Sequence, residues 1–455
     1  MTKEERRILI AEIALRAKEM GGRAMLVGGC VRDGLLGRES ADIDCEVYGL
    51  APEALRQLAE KFGSVDESGA RFGIFSLKEA GIDLAVPRTE IRRGRLHGDF
   101  DVELDGGLSA KKAASRRDFT VNAISQDALT GEIVDPFGGR ADLEKGILRA
   151  VPGGQFEEDP LRVLRGAQFA ARFALSPDEE TLAAMRRMDV RSLSPARVTD
   201  ETKKALLRAA HPEKYFEVLA AAGALSFWFK EVADLIGVPQ NPQYHPEGDA
   251  FQHTMLVVRE AAAVRGQTKD PFAFMMAALT HDLGKAATTK KNEKGNWASI
   301  GHELAGVPLI EALSGRLGLA KGVTAYCVNM CRLHMRVHTC FFGNARTART
   351  NVLFDASCCA EELALLALCD ARGTGKPREQ ADREGAFIEE RLSAYRSAGP
   401  MPTGAMILEA GGRPGPAMKQ ELQKAREQVL SGRPLEEAVQ LAAQKTKRAA
   451  ENGRN

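Results

Sequence analysis

The chain has 455 residues, 44% of them hydrophobic and 27% charged, with a formal net charge of +1. That length exceeds one core, so about three domains are expected, and the composition is that of an ordinary soluble protein. No stretch approaches the roughly 18 uninterrupted apolar residues of a membrane span. The charge balance gives no overall pull on nucleic acid, and eight cysteines without paired CxxC sets suit buried thiols in a reducing cytoplasm.

Residues 1–8 run into an amphipathic, acid-containing helix, unlike a signal or transit peptide. Arg23–Val27 reads as a short buried strand ended by Gly28-Gly29, whose bare amides can approach an anion such as a triphosphate. Arg32 adds a planar cation suited to phosphate oxygens. Asp42 and Asp44 then alternate with Ile43 on a second strand, Ile43–Tyr48, so strand period sets both carboxylates on one face. Beside a phosphate cradle, two such carboxylates would hold Mg²⁺ against a nucleotide. A glycine turn or two solvated aspartates is commonplace singly; their combination at this spacing favours function.

The pattern over 52–62 is helical, with Leu55, Leu58 and Ala59 on one side. Segments 72–77 and 82–86 look like adjacent strands, with Asp83 either a third carboxylate near Asp42 and Asp44 or an edge-strand charge. The Gly-, Asp- and Arg-rich stretch 92–107, with Arg92, Arg93 and Arg95, reads as a mobile loop. Segment 109–123 turns helical; packing Phe119 and Val121 inward leaves Arg117 and Asp118 near the cleft for phosphate and sugar hydroxyls. A strand and turn at 133–139 closes the first domain near Val151.

Next, Asp159 is a good N-cap with Pro160 at the first helical position, and Asp159, Arg162 and Arg165 step by three along one face. Adenine and cytosine both show an amino donor beside a ring-nitrogen acceptor, and guanine and uracil the reverse. A fixed carboxylate beside a fixed guanidinium therefore matches the first pair alone; the plain alternative is a surface ion pair at a helix start. Helical patterns follow at 177–188, 195–208 and 212–222, and 239–248 is the clearest linker.

Beyond the linker His253 opens a helix, the apolar segment 272–281 ends in His281-Asp282, and Asp370 follows the apolar segment 361–369. Such residues can supply imidazole and carboxylate ligands to one divalent ion in a helical bundle, and His302, His334 and His338 could extend the set to a second metal. Cys327 and Cys331, and the adjacent Cys358 and Cys359, are expected as buried thiols. The remainder is a polar stretch, a connector at 400–416 with a short helix at 405–410, small helices at 421–430 and 434–445, and a frayed tail at 450–455.

The order Gly28-Gly-x-Val-Arg-Asp33, Asp42-x-Asp44, Arg116-Arg-Asp-Phe-Thr-Val-Asn122 and Glu158-Asp-x-x-Arg162 resembles the bacterial class II tRNA nucleotidyltransferase and poly(A) polymerase family. With the HD-type phosphohydrolase motif at His281-Asp282, the resemblance covers roughly 23–445 and is greatest to CCA-adding enzymes of the gammaproteobacterial architecture. The helix before Arg23 has no counterpart in it.

The resemblance implies an α+β fold: a polymerase-β-like nucleotidyltransferase head with a small mixed sheet (1–151), an all-α neck and body (152–240), a helical HD domain (241–375) and a C-terminal helical tail (376–455). It implies that Asp42 and Asp44 bind catalytic Mg²⁺, that Gly28, Gly29 and Arg32 contact the triphosphate, and that Arg117 contacts the nucleotide. Asp159 and Arg162 would read the base edge, with Arg165 supporting them or binding phosphate. Gln168 stands where the family usually has another Arg. His253, His281, Asp282 and Asp370 would be the HD ligands, for a divalent transition metal serving phosphatase or 2′,3′-cyclic phosphodiesterase activity.

The implied reaction is template-independent addition of CCA to tRNA from CTP and ATP, with no membrane and no obligatory protein partner. A-adding and poly(A)-polymerising enzymes share the motifs, whereas CC-only enzymes tend to lack a loop like 92–107. A phosphohydrolase with a binding-only head, or a non-catalytic RNA scaffold, would not need two acidic ligand sets.

Overall fold

A computed structural model describes residues 1–40, 42–92, 100–153 and 155–452. These divide into two compact units, one of Met1–Ala205 with Lys214–Phe227 and the other of Leu206–Glu213 with Trp228–Asn455. The first unit holds the segment expected as head and most of that expected as neck; the second holds those expected as HD domain and tail, together with residues 206–213 and 228–240 of the expected neck. Among the described residues no helix is long and apolar enough to cross a membrane.

The first unit is α+β, built on a six-stranded mixed sheet. Its strands are β1 (Arg23–Val27), β2 (Ile43–Tyr48), β3 (Ile74–Leu77), β4 (Ile82–Ala85), and, beyond the hairpin β5 (Arg88–Arg92) and β6 (Phe100–Leu104), β7 (Ser125–Asp127) and β8 (Ile133–Val134). The spatial order is β3-β4-β2-β1-β7-β8. β2 runs antiparallel to β1, with Leu26 opposite Cys45, and parallel to β4, with Asp44 opposite Asp83. Period 2 on β2 turns Cys45 and Val47 into the core and leaves Asp44 and Glu46 on the other face.

The helix α1 (Lys3–Glu19), which the family resemblance did not cover, belongs to this core. Its Ile10, Ile13, Ala14 and Ala17 are buried with Leu55, Leu58 and Ala59 of the helix Pro52–Glu60 and with Ile82 and Leu84 of β4. A capping box starts it: the Thr2 hydroxyl accepts from the Glu5 amide at 3.2 Å, and the Glu5 carboxylate accepts from the Thr2 amide at 2.7 Å.

Three local expectations change. The stretch 92–107 is not all loop, since β5 and β6 pair from Arg88–Leu104 to Arg92–Phe100; the apolar–polar alternation from Phe100 to Leu104 was hidden among glycines and charges. Residues 93–99, with Arg93 and Arg95, lie outside the described residues, as do residues 453–455 of the expected tail. The helix expected over 109–123 is only Ala110–Ala114, followed by a single 3₁₀ turn at Thr120–Asn122. Asp118 explains the break, because its Oδ1 takes the Phe119 amide and the Asn122 side chain, both at 2.8 Å, in place of helical pairing. Cys358 is exposed and Cys359 half-buried in the turn before a helix, whereas Cys327 and Cys331 are buried as expected.

The second unit is a helical bundle. Its main helices here are α2 (Ala250–Val264), α3 (Pro271–Thr280), α4 (His302–Leu317), α5 (Lys321–Phe342) and α6 (Ala360–Gly373). α3 is buried all round from Phe272 to Thr280, as its uninterrupted apolar sequence requires. The C-terminal helices form a separate small core around Ile407, Val429, Val439 and Ala442.

Candidate functional site

In the first unit, β1 ends at Gly28, which takes φ +70°, and a helix starts at Gly29. A Cβ on Gly28 would lie 2.6 Å from Arg117 Nη1 and 3.9 Å from Asp44 Oδ2. The backbone conformation thus favours glycine, and a Cβ there would displace the guanidinium lying over it. Asp42 immediately precedes β2 and Asp44 is its second residue; both side chains are open. Desolvation in the crowded cleft pushes the Asp44 carboxyl up; Asp83, Asp42 and Glu46 push the same way, and Arg117 opposes them. Asp83 sits level with Asp44 on the neighbouring strand, so the structure gathers three carboxylates beside the glycine turn.

Glu46, which the sequence reading passed over, is 3% exposed and ties the cleft together. Its Oε1 accepts from Arg116 Nη2 at 2.7 Å and from Arg117 Nη2 at 3.0 Å. Burial alone would raise its pKa, but the two guanidiniums outweigh this and hold it below the usual carboxylate range. The available signal was a third carboxylate at strand period after Asp42 and Asp44, facing an Arg-Arg pair.

Other expected contacts are engaged internally. Arg32 is 4% exposed; it donates to Asp33 and Asn122 and lies 4.1 Å from the Phe173 ring centroid, so it braces the turn and does not present an open guanidinium to phosphate. Asp118 is buried against Arg165, whose Nε donates to Asp118 Oδ2 at 2.8 Å; this removes Asp118 from the open cleft and engages the half-buried Arg165. Arg162 donates to the carbonyls of Gln155 at 2.6 Å and Arg116 at 2.7 Å. Asp159 accepts from the Leu161 amide at 3.0 Å and lies 3.5 Å from Arg197, so it is not paired with Arg162. The Arg116 contact nevertheless ties the helix Leu161–Phe173 to the segment that carries Arg117. Gln168 is buried, and its Nε2 has no hydrogen-bond partner among the described residues.

The second unit holds a second cluster. His253 lies on α2, His281 and Asp282 follow α3, His302 begins α4, His334 and His338 lie on α5, and Asp370 on α6; all seven are buried. Asp370 Oδ1 is 3.0 Å from His253 Nε2, and Oδ2 is 2.9 Å from His338 Nε2. Asp282 Oδ2 is 3.1 Å from His281 Nε2, and Oδ1 is 3.0 Å from His302 Nε2. Yet His253 Nε2, His281 Nε2 and Asp282 Oδ1 make no directed hydrogen bond among the described residues. Lone pairs converging on a common point, unsatisfied and buried, fit a metal ion better than a hydrogen-bond network.

The electrostatics agree with this. Burial would raise Asp282 and Asp370, but the facing imidazoles, with Lys285 at Asp282, hold both well below the ordinary carboxylate range. Burial drives His334 down to about 4, keeping it a neutral donor.

The expected linker at 239–248 also furnishes this centre. Glu247 Oε1 faces Nδ1 of His253 at 2.9 Å and Nδ1 of His245 at 2.8 Å, and Gln240 Oε1 accepts from Lys285 Nζ at 2.8 Å. Lys285 Nζ also lies 2.6 Å from Asp282 Oδ2. None of these residues figured in the expected site. The sequence signal was faint: a Glu between two His in a Pro- and Gly-rich stretch, and a Lys three residues past Asp282.

The Poly A polymerase head domain family matches residues 24–149, and the family described as a probable RNA and SrmB-binding site of polymerase A matches residues 174–236. A multifunctional CCA protein of Nitrosococcus oceani is 37% identical over 418 residues, which cover 88% of this chain and 96% of that protein. The chain belongs to the multifunctional CCA protein family. Another relative of that name, from Xanthomonas oryzae pv. oryzae, is 38% identical, with 88% of this chain and 96% of the relative covered. The multifunctional CCA family fold extends to solved structures. The Thermotoga maritima CCA-adding enzyme complexed with tRNA gives a TM-score of 0.63 at 19% identity, covering 96% of this chain and 94% of that one. A Bacillus stearothermophilus CCA-adding enzyme in complex with CTP gives 0.62 at 22%, with both chains fully (100%) covered. Family membership carries a divalent-metal-dependent nucleotidyltransferase chemistry.

Proposed function

We propose that this protein adds C, C and A in turn to the 3′ end of tRNA, using CTP and ATP without a nucleic-acid template. The observation that carries the reading is the cleft of the first unit: two open carboxylates, Asp42 and Asp44, beside a glycine turn over which Glu46 holds Arg117. It is supported by relatives matched over 96% of their length that bear the CCA name.

In this reading the tRNA 3′-hydroxyl attacks the α-phosphate of the incoming nucleotide, and pyrophosphate leaves. Asp42 and Asp44 would hold Mg²⁺, which when bound neutralises phosphate charge and activates the attacking hydroxyl. Gly28 and Gly29 let the backbone approach the triphosphate, and Arg117 lies where it can donate to it. Asp159 accepts from the exocyclic amino group of cytosine or adenine, and Arg162 donates to the adjacent ring nitrogen. Forming those bonds moves Asp159 away from Arg197 and turns part of Arg162 from its carbonyl partners.

The test is incorporation on tRNA ending before CCA, on tRNA ending in CC, and on unstructured RNA. CTP and ATP are expected to be added in order and only to tRNA. Equal use of GTP or UTP would sink the base-reading role, and polymerisation that survives Asp42→Ala would sink the metal assignment. Addition of A alone would favour the A-adding reading, and long A tails the poly(A) polymerase reading.

A second activity is favoured by the buried unsatisfied nitrogens of His253 and His281. With His253, His281, Asp282 and Asp370 holding a divalent transition metal, this centre would hydrolyse phosphate esters. Hydrolysis of a chromogenic phosphodiester that disappears in His281→Ala is the expected result; hydrolysis persisting there would exclude this centre. The eight free thiols suit a cytoplasmic enzyme.

A further inference from the structure

Asp159 is the carboxylate assigned to the base edge, and both its oxygens have protein donors. Oδ1 accepts from the Leu161 amide at 3.0 Å, and Oδ2 lies 3.5 Å from Nη2 of Arg197. The second contact is loose. It sits at the limit of hydrogen-bond length, and among the described residues it is the one directed contact that Arg197 makes. Arg197 is the third residue of the helix Pro195–Arg208, and its side chain is 24% exposed. A guanidinium so shallowly buried and so weakly held can change partner at little cost.

One turn further along the same helix lies Glu201, which is 3% exposed. Its Oε1 accepts from Lys204 Nζ at 2.9 Å, but Oε2 is buried and has no hydrogen-bond partner among the described residues. A buried carboxylate oxygen without a donor is rare in a folded protein and calls for a reason.

The other cations nearby are engaged. Lys204 also faces Asp200 at 3.3 Å. Arg165 gives Nε and Nη2 to Asp118 at 2.8 and 2.7 Å. Asp118 chiefly, then Glu201 and Asp159, raise the Arg165 pKa against its burial, which sets all three carboxylates around one guanidinium. Arg197 stands four residues before Glu201, so the two share a helix face.

We propose that Arg197 is a positioning residue with two acceptors: it rests on Asp159 Oδ2 and passes to Glu201 Oε2 when a base amino group takes Asp159. This exchange rests on the base-reading role of Asp159 and adds what that role needs, a place for the displaced cation. Cytosine and adenine bring an amino donor to Oδ2 in place of Arg197, so Asp159 is satisfied before and after. Glu201 gains its missing donor in the same step, and neither Arg197 nor Glu201 touches the nucleotide.

Glu201→Gln keeps a carbonyl for Lys204 but sets an amide donor where Oε2 stood, so Arg197 has no second acceptor. It is expected to raise KM for CTP and ATP about tenfold, the worth of one charged hydrogen bond, with the change confined to KM. Arg197→Met removes the cation that holds Asp159 and is expected to lower both KM values about two- to fivefold, as for a loosely held ion pair. In that background Glu201→Gln has no cation to turn away, and is expected to shift KM by less than about twofold.

Steady-state titration of CTP and ATP on tRNA ending before CCA and in CC reads all three variants. No rise in KM for Glu201→Gln, or an equal rise with and without Arg197, overturns the exchange and leaves Asp159 its base-reading role. A rise in KM for Arg197→Met overturns it as well, and this variant serves where Glu201→Gln fails to fold. If Asp159→Asn keeps the preference for CTP and ATP over GTP and UTP, it is the base-reading role itself that fails.

Discussion

Glu46 and Arg117 hold each other across the cleft of the first unit. Glu46 Oε1 accepts from Arg117 Nη2 at 3.0 Å, and this contact lays the guanidinium over Gly28 beside Asp44. Because Arg116 shares the same oxygen, one buried carboxylate orients two cations. Glu46→Gln keeps the shape and removes the charge, so Arg117 is less firmly placed for a triphosphate. We expect the KM for CTP and ATP to rise about tenfold, equivalent to ~1.4 kcal/mol, with kcat little changed and partial recovery in Glu46→Asp. Steady-state nucleotide titration checks this; a fall in kcat alone would show that Glu46 acts on the reacting atoms instead.

Gly28→Ala carries two separable penalties. The backbone at φ +70° resists any Cβ, at about 1–2 kcal/mol, and the new methyl would lie 2.6 Å from Arg117 Nη1. The single variant is expected to lose nucleotide binding and some thermal stability. In an Arg117→Ala background the steric part vanishes and only the backbone part remains, so the two changes are expected to be less than additive in Tm. Strict additivity would show that the guanidinium does not lie over the glycine in solution.

The parts of the sequence that gave away the head are those where one residue type has one physical use. Gly28 before a helix, carboxylates at period 2, and an apolar Phe119 and Val121 flanking charges all read directly. What escaped were partners chosen by tertiary contact. Nothing local says that Arg32 spends its guanidinium on the distant Asn122 as well as on its neighbour Asp33, or that Asp159 lies nearer Arg197 than Arg162. Segment 239–248 looked like a linker because Pro and Gly dominate it, yet its Glu247 is pinned between two imidazoles. The hairpin of β5 and β6 was missed because glycine and charge outweighed a short alternation.

Asp127 makes a pH-dependent contribution to the head. Burial would raise its pKa, but amides of Thr130 and Leu129, each 2.9 Å from Oδ1, and the Arg23 guanidinium, 2.7 Å from Oδ2, bring it down to about 2. A folded pKa below the unfolded one means stability that is complete above about pH 4 and lost as pH falls toward 2. With Arg23 half exposed, the contribution is on the order of 1–2 kcal/mol. Urea midpoints of the wild type are expected to fall over that window more steeply than those of Asp127→Asn. Parallel slopes would show that the carboxylate is not held in this way.

Glu247 provides the last test, because it acts on the second centre without facing its cavity. Its Oε1 lies 2.9 Å from His253 Nδ1, and a carboxylate there fixes the proton on Nδ1, leaving the Nε2 lone pair directed at Asp370 and His281. The proximity of His245 and His253 takes Glu247 down to about 2 against the burial that would raise it, so it stays ionised throughout the working range. Glu247→Gln can still touch His253 but no longer enforces the tautomer. A loss of about 10- to 100-fold in affinity for Mn²⁺ or Ni²⁺ is expected, read by calorimetric titration of the full chain. Asp42→Ala should leave that titration unchanged. An unaltered affinity in Glu247→Gln would mean that His253 is oriented by packing alone, and an altered one in Asp42→Ala would mean that the titration reports the other cleft.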